Sequence, residues 1–313
     1  MANINRISSS GGIPGDSNRN AIINGDFNVW QRGTSFAAIA HDAYTVDRFS
    51  YIKVATGAEH TISRDTDVPT QSESGHLSNY SMKVDCTTGD TSVNAGDLVA
   101  IRHYVEGYNF VPFVGKTTTL SFWVKAVKTG IYCITFGGSI SDQNYVVEYT
   151  INSTNTWEKK TVTITFDYST GTWDYTNGIG VYIDWVIMCG STFQTTADTW
   201  HATDVHATSN QANGVDSTDN NFWLAQVKFE PGSNATDFEC DDIGTTLTKC
   251  QRYYIDFTGR TINGDLWLSW PVEMRAVPIL TDTVGTAANP TINGCTLNHS
   301  AAADVTITAT SEL

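Results

Sequence analysis

Basic residues are scarce in this chain. Only 18 Lys and Arg stand against 33 Asp and Glu in 313 residues, a formal net charge of -15. Phosphate backbones bind to basic faces, so nucleic acid is excluded as a partner. The six cysteines, Cys86, Cys133, Cys189, Cys240, Cys250 and Cys295, are far apart and none forms a C-x-x-C pair, which leaves zinc without its usual ligand spacing. Cys133 and Cys189 lie inside apolar runs, where a thiol serves as a small buried hydrophobe. No run of about 18 apolar residues exists, and the opening MANINRISSSGG lacks an apolar signal core. The expectation is a soluble protein without membrane insertion or secretory signal, folded in a reducing cytoplasm. A repeat of roughly 20 to 50 residues is also missing, which argues against a propeller or a parallel β-helix.

Helical periodicity is nearly absent; what remains is alternation. Leu120, Phe122 and Val124 face one way and Ser121, Trp123 and Lys125 the other. Val162, Ile164 and Phe166 alternate with threonines, and Ile179, Val181, Ile183 and Trp185 oppose Tyr182 and Asp184. Short runs of this kind between Gly, Asn, Asp and Thr-rich turns predict an all-β fold, an antiparallel two-sheet sandwich over residues 20–240. The opening of that region, Asn20 to Arg48, combines a short apolar strand, the turn-forming Asn24-Gly25 and the pair Asp47-Arg48. Residues 1–19, rich in Ser, Gly and Asn, have too little apolar content for a core and read as a flexible N-terminal attachment arm. The segment 241–254 is the best helix candidate, capped by Thr245 or Thr246 with Leu247, Cys250 and Tyr254 on one face. Strands are expected at 265–270, 277–283 and 304–310, within a small C-terminal β domain (255–313) that packs on the sandwich or on sister chains.

The Asn20 to Arg48 stretch resembles the opening of bacteriophage virion appendage proteins, tail or head fibres whose jelly-roll domains look like carbohydrate-binding modules. The likeness continues through GDLVAIRHYVEGYNF (Gly96 to Phe110), TTLSFWVKAVKTGIYCI (Thr118 to Ile134), NTWEKKTVTI (Asn155 to Ile164), VKFEPGSNATDFE (Val227 to Glu239) and LTKCQRYY (Leu247 to Tyr254). It selects the jelly roll among sandwiches. It implies a virion location, a homotrimer, and contacts with other virion proteins through the arm. Jelly rolls of that kind often hold a structural Ca²⁺ near the chain ends of the sandwich, for which Asp26, Glu230 and Asp237 are the candidate metal ligands by position, with solvated surface carboxylates as the plain alternative; no cofactor is required.

Sugars are recognised by rings stacked on the C–H face of a pyranose, with amides and carboxylates on its hydroxyls. Trp123, Trp173, Tyr175, Tyr182, Asp184 and Trp200 are the candidate carbohydrate-binding residues, each with packing or subunit contact as the plain alternative. The long polar segments 66–79 and 191–221 read as exposed loops where specificity resides. No acid–nucleophile pair, Ser-His-Asp set or phosphate loop stands out; His206 in Thr203-Asp204-Val205-His206 has no partner motif. The expectation is a non-enzymatic fibre that adheres to host-surface or environmental glycans, with a purely structural capsid-decoration or neck or tail fibre component, binding only other virion proteins, as its rival.

Overall fold

The computed structural model describes residues 20–166, 169–262, 266–283, 287–297 and 303–313. The expected N-terminal arm lies outside them. The strands up to the end of the sandwich are β1 (Ser35–Ala37), β2 (Ala43–Tyr44), β3 (Phe49–Val54), β4 (Glu59–Asp65), β5 (Ser81–Thr88), β6 (Leu98–Glu106), β7 (Thr117–Ala126), β8 (Gly130–Gly137), β9 (Asn144–Ile151), β10 (Glu158–Thr165), β11 (Ile179–Cys189), β12 (Gln194–Thr195), β13 (Trp200–His201), β14 (Ala207–Thr208) and β15 (Asn221–Pro231); all but β12 and β14, which make a short parallel pair of their own, build the two antiparallel sheets of a jelly-roll sandwich. One sheet has the order β1-β4-β5-β15-β7-β10, the other β13-β9-β8-β11-β6-β3-β2. Strands close in sequence therefore repeatedly switch sheets.

Alternation sets which side chains meet between the sheets. Leu120, Phe122 and Val124 from β7 face Val181, Ile183 and Trp185 from β11 in one continuous core. Trp185 is fully buried, edge-on to Phe122 with centroids 6.0 Å apart. Such edge-to-face pairs suit the ring quadrupole and fix the layers laterally.

The Asn24-Gly25 turn works differently from a simple hairpin. Asn24 carries the positive φ, at 63°, and its amide ties the turn down: Nδ2 donates to Val29 O at 2.9 Å and Asp47 O at 3.1 Å, while Oδ1 accepts from Val29 N. Gly25 is needed for close approach, since a Cβ there would lie 2.1 Å from Val227 O of β15. The opening stretch is thus clamped against the last sandwich strand.

The two long polar segments are not free ornaments. Residues 191–221 fold onto the outer face of the seven-stranded sheet, where Val205 and Ala207 join Ile52, Ala100, Cys133, Val146 and Val186 in a second apolar cluster. The other segment carries α1 (Gln71–Ser74), opened by a Thr70–Glu73 capping box. It lies on the six-stranded sheet, where Gln226 Nε2 donates to Ser74 and Ser78 hydroxyls and Lys125 pairs with Asp67. Reading 191–221 as an exposed loop is corrected where it covers the sheet through the buried stretch 205–208, whereas 66–79 is mostly exposed, as expected, and is tied to the sheet through Asp67, Ser74 and Ser78.

Two further helices border the sandwich: the single turn α2 (Gly107–Phe110) after β6, and α3 (Ile243–Gln251) after its last strand. Asp242 caps α3, accepting from Thr245 N at 3.0 Å, in place of the threonines expected from sequence. An aspartate carboxylate accepts the orphan N–H groups well and favours the positive end of the helix dipole. Tyr254 leaves the helix and opens β16 (Tyr254–Ile262).

Beyond it, β17 (Leu266–Ser269), β18 (Ile279–Asp282), β19 (Ala287–Thr291), β20 (Gly294–Leu297) and β21 (Ala303–Thr310) make two small sheets, ordered β16-β21-β18 and β17-β20-β19. Their own core includes Ile255, Leu268, Trp270, Met274, Leu297 and Ile307. This module is fastened to the sandwich by charge. Arg48, fully buried, pairs with Glu312, lies 3.5 Å from the Tyr253 ring centroid and donates to Tyr104 O. Arg32 adds a 2.9 Å pair to Glu312 and stacks on Tyr254 at 3.6 Å. Burial opposes the charge on Arg48, but the Glu312 carboxylate outweighs it and raises the guanidinium pKa.

Candidate functional site

One edge of the sandwich is walled by aromatic rings. The edge strand β13 pairs Trp200 with Tyr145 of β9, and their rings lie 5.0 Å apart. Trp173, on the loop after β10, meets Trp200 edge-on at 5.8 Å and stacks on Phe110 of α2 at 5.6 Å. Tyr175 lies parallel to the same Phe110 ring, 6.4 Å away with a 4° interplanar angle. Buried Phe166 touches both tryptophans at 5.7 Å and joins them to the core. Three of the expected sugar-binding residues, Trp173, Tyr175 and Trp200, therefore come together. Phe110, Phe166 and Tyr145, which the sequence reading missed, are the rings that hold them; nothing in their local pattern distinguishes them from ordinary core residues.

The loop that bears Trp173 and Tyr175 is held by many polar contacts. Asp142 accepts from Thr172 N at 3.0 Å and from its hydroxyl at 2.7 Å; Trp173 Nε1 donates to Thr170 O at 2.8 Å. Asp174 accepts from the amide and hydroxyl of Thr176, whose carbonyl accepts from Tyr108 N at 2.7 Å. Those hydrogen bonds hold the carboxyls of Asp142 and Asp174 below the ordinary aspartate range. Two ionised acceptors thus flank rings that keep part of their surface in water. Tyr175 is 38% exposed and Trp173 and Trp200 are half-buried.

Other expected positions are closed. Tyr182 and Asp184 are fully buried beneath residues 191–221. Arg102 donates to both oxygens of Asp184, at 2.6 and 2.7 Å, and lies 4.1 Å from the Tyr182 ring centroid. Tyr182 Oη donates to Asn144 Oδ1 at 2.5 Å. His206 bridges Asp184 and Asp204: Nδ1 lies 2.9 Å from Asp184 Oδ2, in contact but short of hydrogen-bond alignment, and Nε2 lies 3.0 Å from Asp204 Oδ1. The partner of His206 that the local sequence did not reveal is Asp184, contributed by a distant strand. Burial works against the His206 charge, yet the two carboxylates raise its pKa; burial likewise opposes the Asp184 charge, and Arg102 prevails to lower it.

Trp123 is also corrected. It is 9% exposed and faces Ala225 and Lys159 across neighbouring strands. On its sheet face Lys125 sits over Trp223 at 4.2 Å and Trp157 at 5.5 Å, while the indole N–H groups of Trp223 and Trp157 donate to Asp65 and Asp67. These rings are occupied by cation and carboxylate partners from the same chain.

The three candidate metal ligands do not converge. Glu230 is nearly inaccessible, accepts from the amide and hydroxyl of Thr236, and pairs with Lys228 at 3.2 Å. Asp237 is exposed. Asp26 lines a groove of about 430 Å³ with Glu239, Asp241 and Lys249, and burial raises its pKa. Among the described residues no group of three His, Cys, Asp or Glu side chains is placed to hold a metal ion.

No family model and no curated protein matches the sequence. Among solved structures, the chain is similar to the enzymatically active domain of tailspike protein 4 of bacteriophage CBA120, at 11% identity and a TM-score of 0.35; the match covers 63% of this chain and 21% of that one. It is similar at 13% identity and a TM-score of 0.34 to the family 11 carbohydrate-binding module from Clostridium thermocellum in complex with a β-1,3-1,4-mixed-linked tetrasaccharide, over 64% of this chain and 98% of that one. These distant likenesses do not decide ligand or activity.

Proposed function

We propose that this protein is a non-catalytic adhesin of a virus particle, an appendage whose jelly-roll sandwich binds glycans on the host surface. The observation that carries the reading is the aromatic edge: Trp173, Tyr175 and Trp200 held together by Phe110 and Phe166, with ionised Asp142 and Asp174 beside them. Rings supply stacking area and the carboxylates accept from sugar hydroxyls. Rigidity favours affinity because little side-chain entropy is left to lose on binding.

The same geometry supports a non-catalytic role. A glycosidase acid needs its pKa raised towards neutrality, whereas Asp142 and Asp174 are each lowered by hydrogen bonds. Adhesion then comes from several copies on one particle, as multivalency turns weak single contacts into firm attachment. The N-terminal arm joins the appendage to other virion proteins, and the appendage is a homotrimer. The half-buried state of Trp173 and Trp200 favours a second reading, in which the edge packs against another virion protein.

An array of bacterial surface glycans separates the two. Saturable binding is expected, with Tyr175→Ala weakening it roughly fivefold for a ring worth about 1 kcal/mol and leaving the melting temperature unchanged. Absence of binding across the array, together with pull-down of a virion protein that Tyr175→Ala abolishes, would replace adhesion by the structural role.

A further inference from the structure

On the other side of α2 lies a groove of about 420 Å³, lined among others by Glu106, Tyr108, Asn109, Lys249, Arg252 and Tyr253. Its volume falls in the range of ligand clefts, roughly 300–1,000 Å³. α2 separates it from the aromatic edge by one helical turn: Phe110 carries the Trp173 and Tyr175 stack, while Tyr108 lines the groove. The two surfaces meet at Tyr108 N, which donates to Thr176 O directly after Tyr175. Tyr108 is 58% exposed, unusually open for a ring of its size. Asn109 beside it brings an amide that both donates and accepts.

The cations in the groove are already matched. Arg252 donates to Glu106 at 2.7 and 3.2 Å, and Tyr253 Oη donates to the same carboxylate at 2.6 Å. Lys249 pairs with Asp241. A carboxylate or sulfate on a ligand would find each positive charge neutralised, inside a molecule of net charge -15. An uncharged hydroxyl-rich ring meets no such penalty: it stacks on Tyr108 and shares hydrogen bonds with Asn109 and the outer N–H groups of Arg252.

We propose that this groove is a second sugar subsite, selective for an uncharged pyranose unit and continuous with the aromatic edge around α2, so that the ligand is a chain of several neutral sugar residues. The inference rests on the glycan-adhesion reading and deepens it by naming the ligand class.

The test uses the full chain and fragments of one to six residues cut from the neutral polysaccharide that binds best on the array, with oligogalacturonides of equal length as the charged counterpart. Calorimetry should show affinity rising at least tenfold from one residue to the longer fragments. Tyr108→Ala and Asn109→Ala should abolish that rise without changing the melting temperature, Tyr108→Phe should keep it, and oligogalacturonides should not compete. Affinity independent of length, or insensitive to Tyr108→Ala, would overturn the groove and leave adhesion at the aromatic edge standing. Preference for the acidic series would overturn neutral selectivity. Binding to no glycan at all would overturn both readings.

Discussion

At the residue scale, the pair Tyr182 and Asp184 shows how an outward-facing position becomes an interior one. Alternation places both opposite the main core, correctly, but residues 191–221 then cover them, and Arg102 and Asn144 satisfy their polar atoms, with His206 in ionic contact with Asp184. Asp184→Asn leaves the largely covered Arg102, 13% exposed at its side chain, without its counter-charge, so a loss of about 3 kcal/mol in urea unfolding is expected. The charges facing His206 are Asp184, Asp204 and Arg102, with Tyr182 and Phe193 as ring neighbours. Its raised pKa means that its stabilising charge is fully present below its ordinary value of 6.5 and is lost as pH rises through the higher folded value. Asp184, with its pKa lowered, contributes above 3.8 and loses that contribution as pH falls. Stability should therefore decline as pH rises above 6.5, and His206→Gln should flatten that limb in thermal melts across pH; an unchanged limb would remove His206 as its source. Gly137 belongs to the same site. A Cβ there would sit 2.0 Å from the Tyr182 ring, so Gly137→Ala should displace the ring, break its hydrogen bond to Asn144 and lower the melting temperature.

At the element scale, the opening stretch and the small C-terminal sheets depend on each other. Asn24 fixes Asp47 by its carbonyl, Asp47 accepts from the amide and side chain of Gln31 at 2.6 Å, and Arg48 is thereby aimed inward at Glu312. The sequence signal at Asp47-Arg48 was visible, yet its partner lies 264 residues away, beyond any local pattern. Glu312→Gln removes the carboxylate charge opposite a fully buried guanidinium, and a loss of about 3 kcal/mol follows from an uncompensated buried charge. Hydrogen exchange should then show the C-terminal sheets opening at lower denaturant than the sandwich; simultaneous unfolding with unaltered stability would mean that the Arg48–Glu312 pair does not hold the module in place.

At the scale of the whole molecule, charge and thiols set the behaviour. Five of the six free cysteines are buried and only Cys240 is exposed; burial pushes the thiols of Cys86, Cys133 and Cys295 up to about 11 and Cys189 to about 12. Native protein should therefore take up one equivalent of a thiol reagent near neutral pH, lost in Cys240→Ser, and all six after denaturation. Rapid labelling of two or more would show that a cluster opens easily. For the proposed homotrimer, light scattering should give about three times the chain mass of 34.2 kDa, and a monomer at micromolar concentration would count against it.

The sequence by itself determined the class of fold and the faces of its strands, because a period of two in apolar side chains leaves the backbone few other ways to bury them. It also settled the acidic balance, which disfavours a nucleic-acid partner, and the gathering of the chemistry-bearing aromatics on a few loops and strands. Which aromatics reach solvent was decided only in three dimensions. Trp123 and Tyr182 occupy the same kind of outward strand position, yet both are buried, Tyr182 beneath residues 191–221; the Trp173–Tyr175 loop and Trp200 come from separate stretches and meet because Phe110 and Phe166 fill the edge between the sheets. The same holds for the α2 groove, whose walls at Tyr108 and Arg252 are drawn together by the Arg252–Glu106 pair. Local pattern fixes the direction in which a side chain leaves its strand, but exposure depends on what distant chain packs over it.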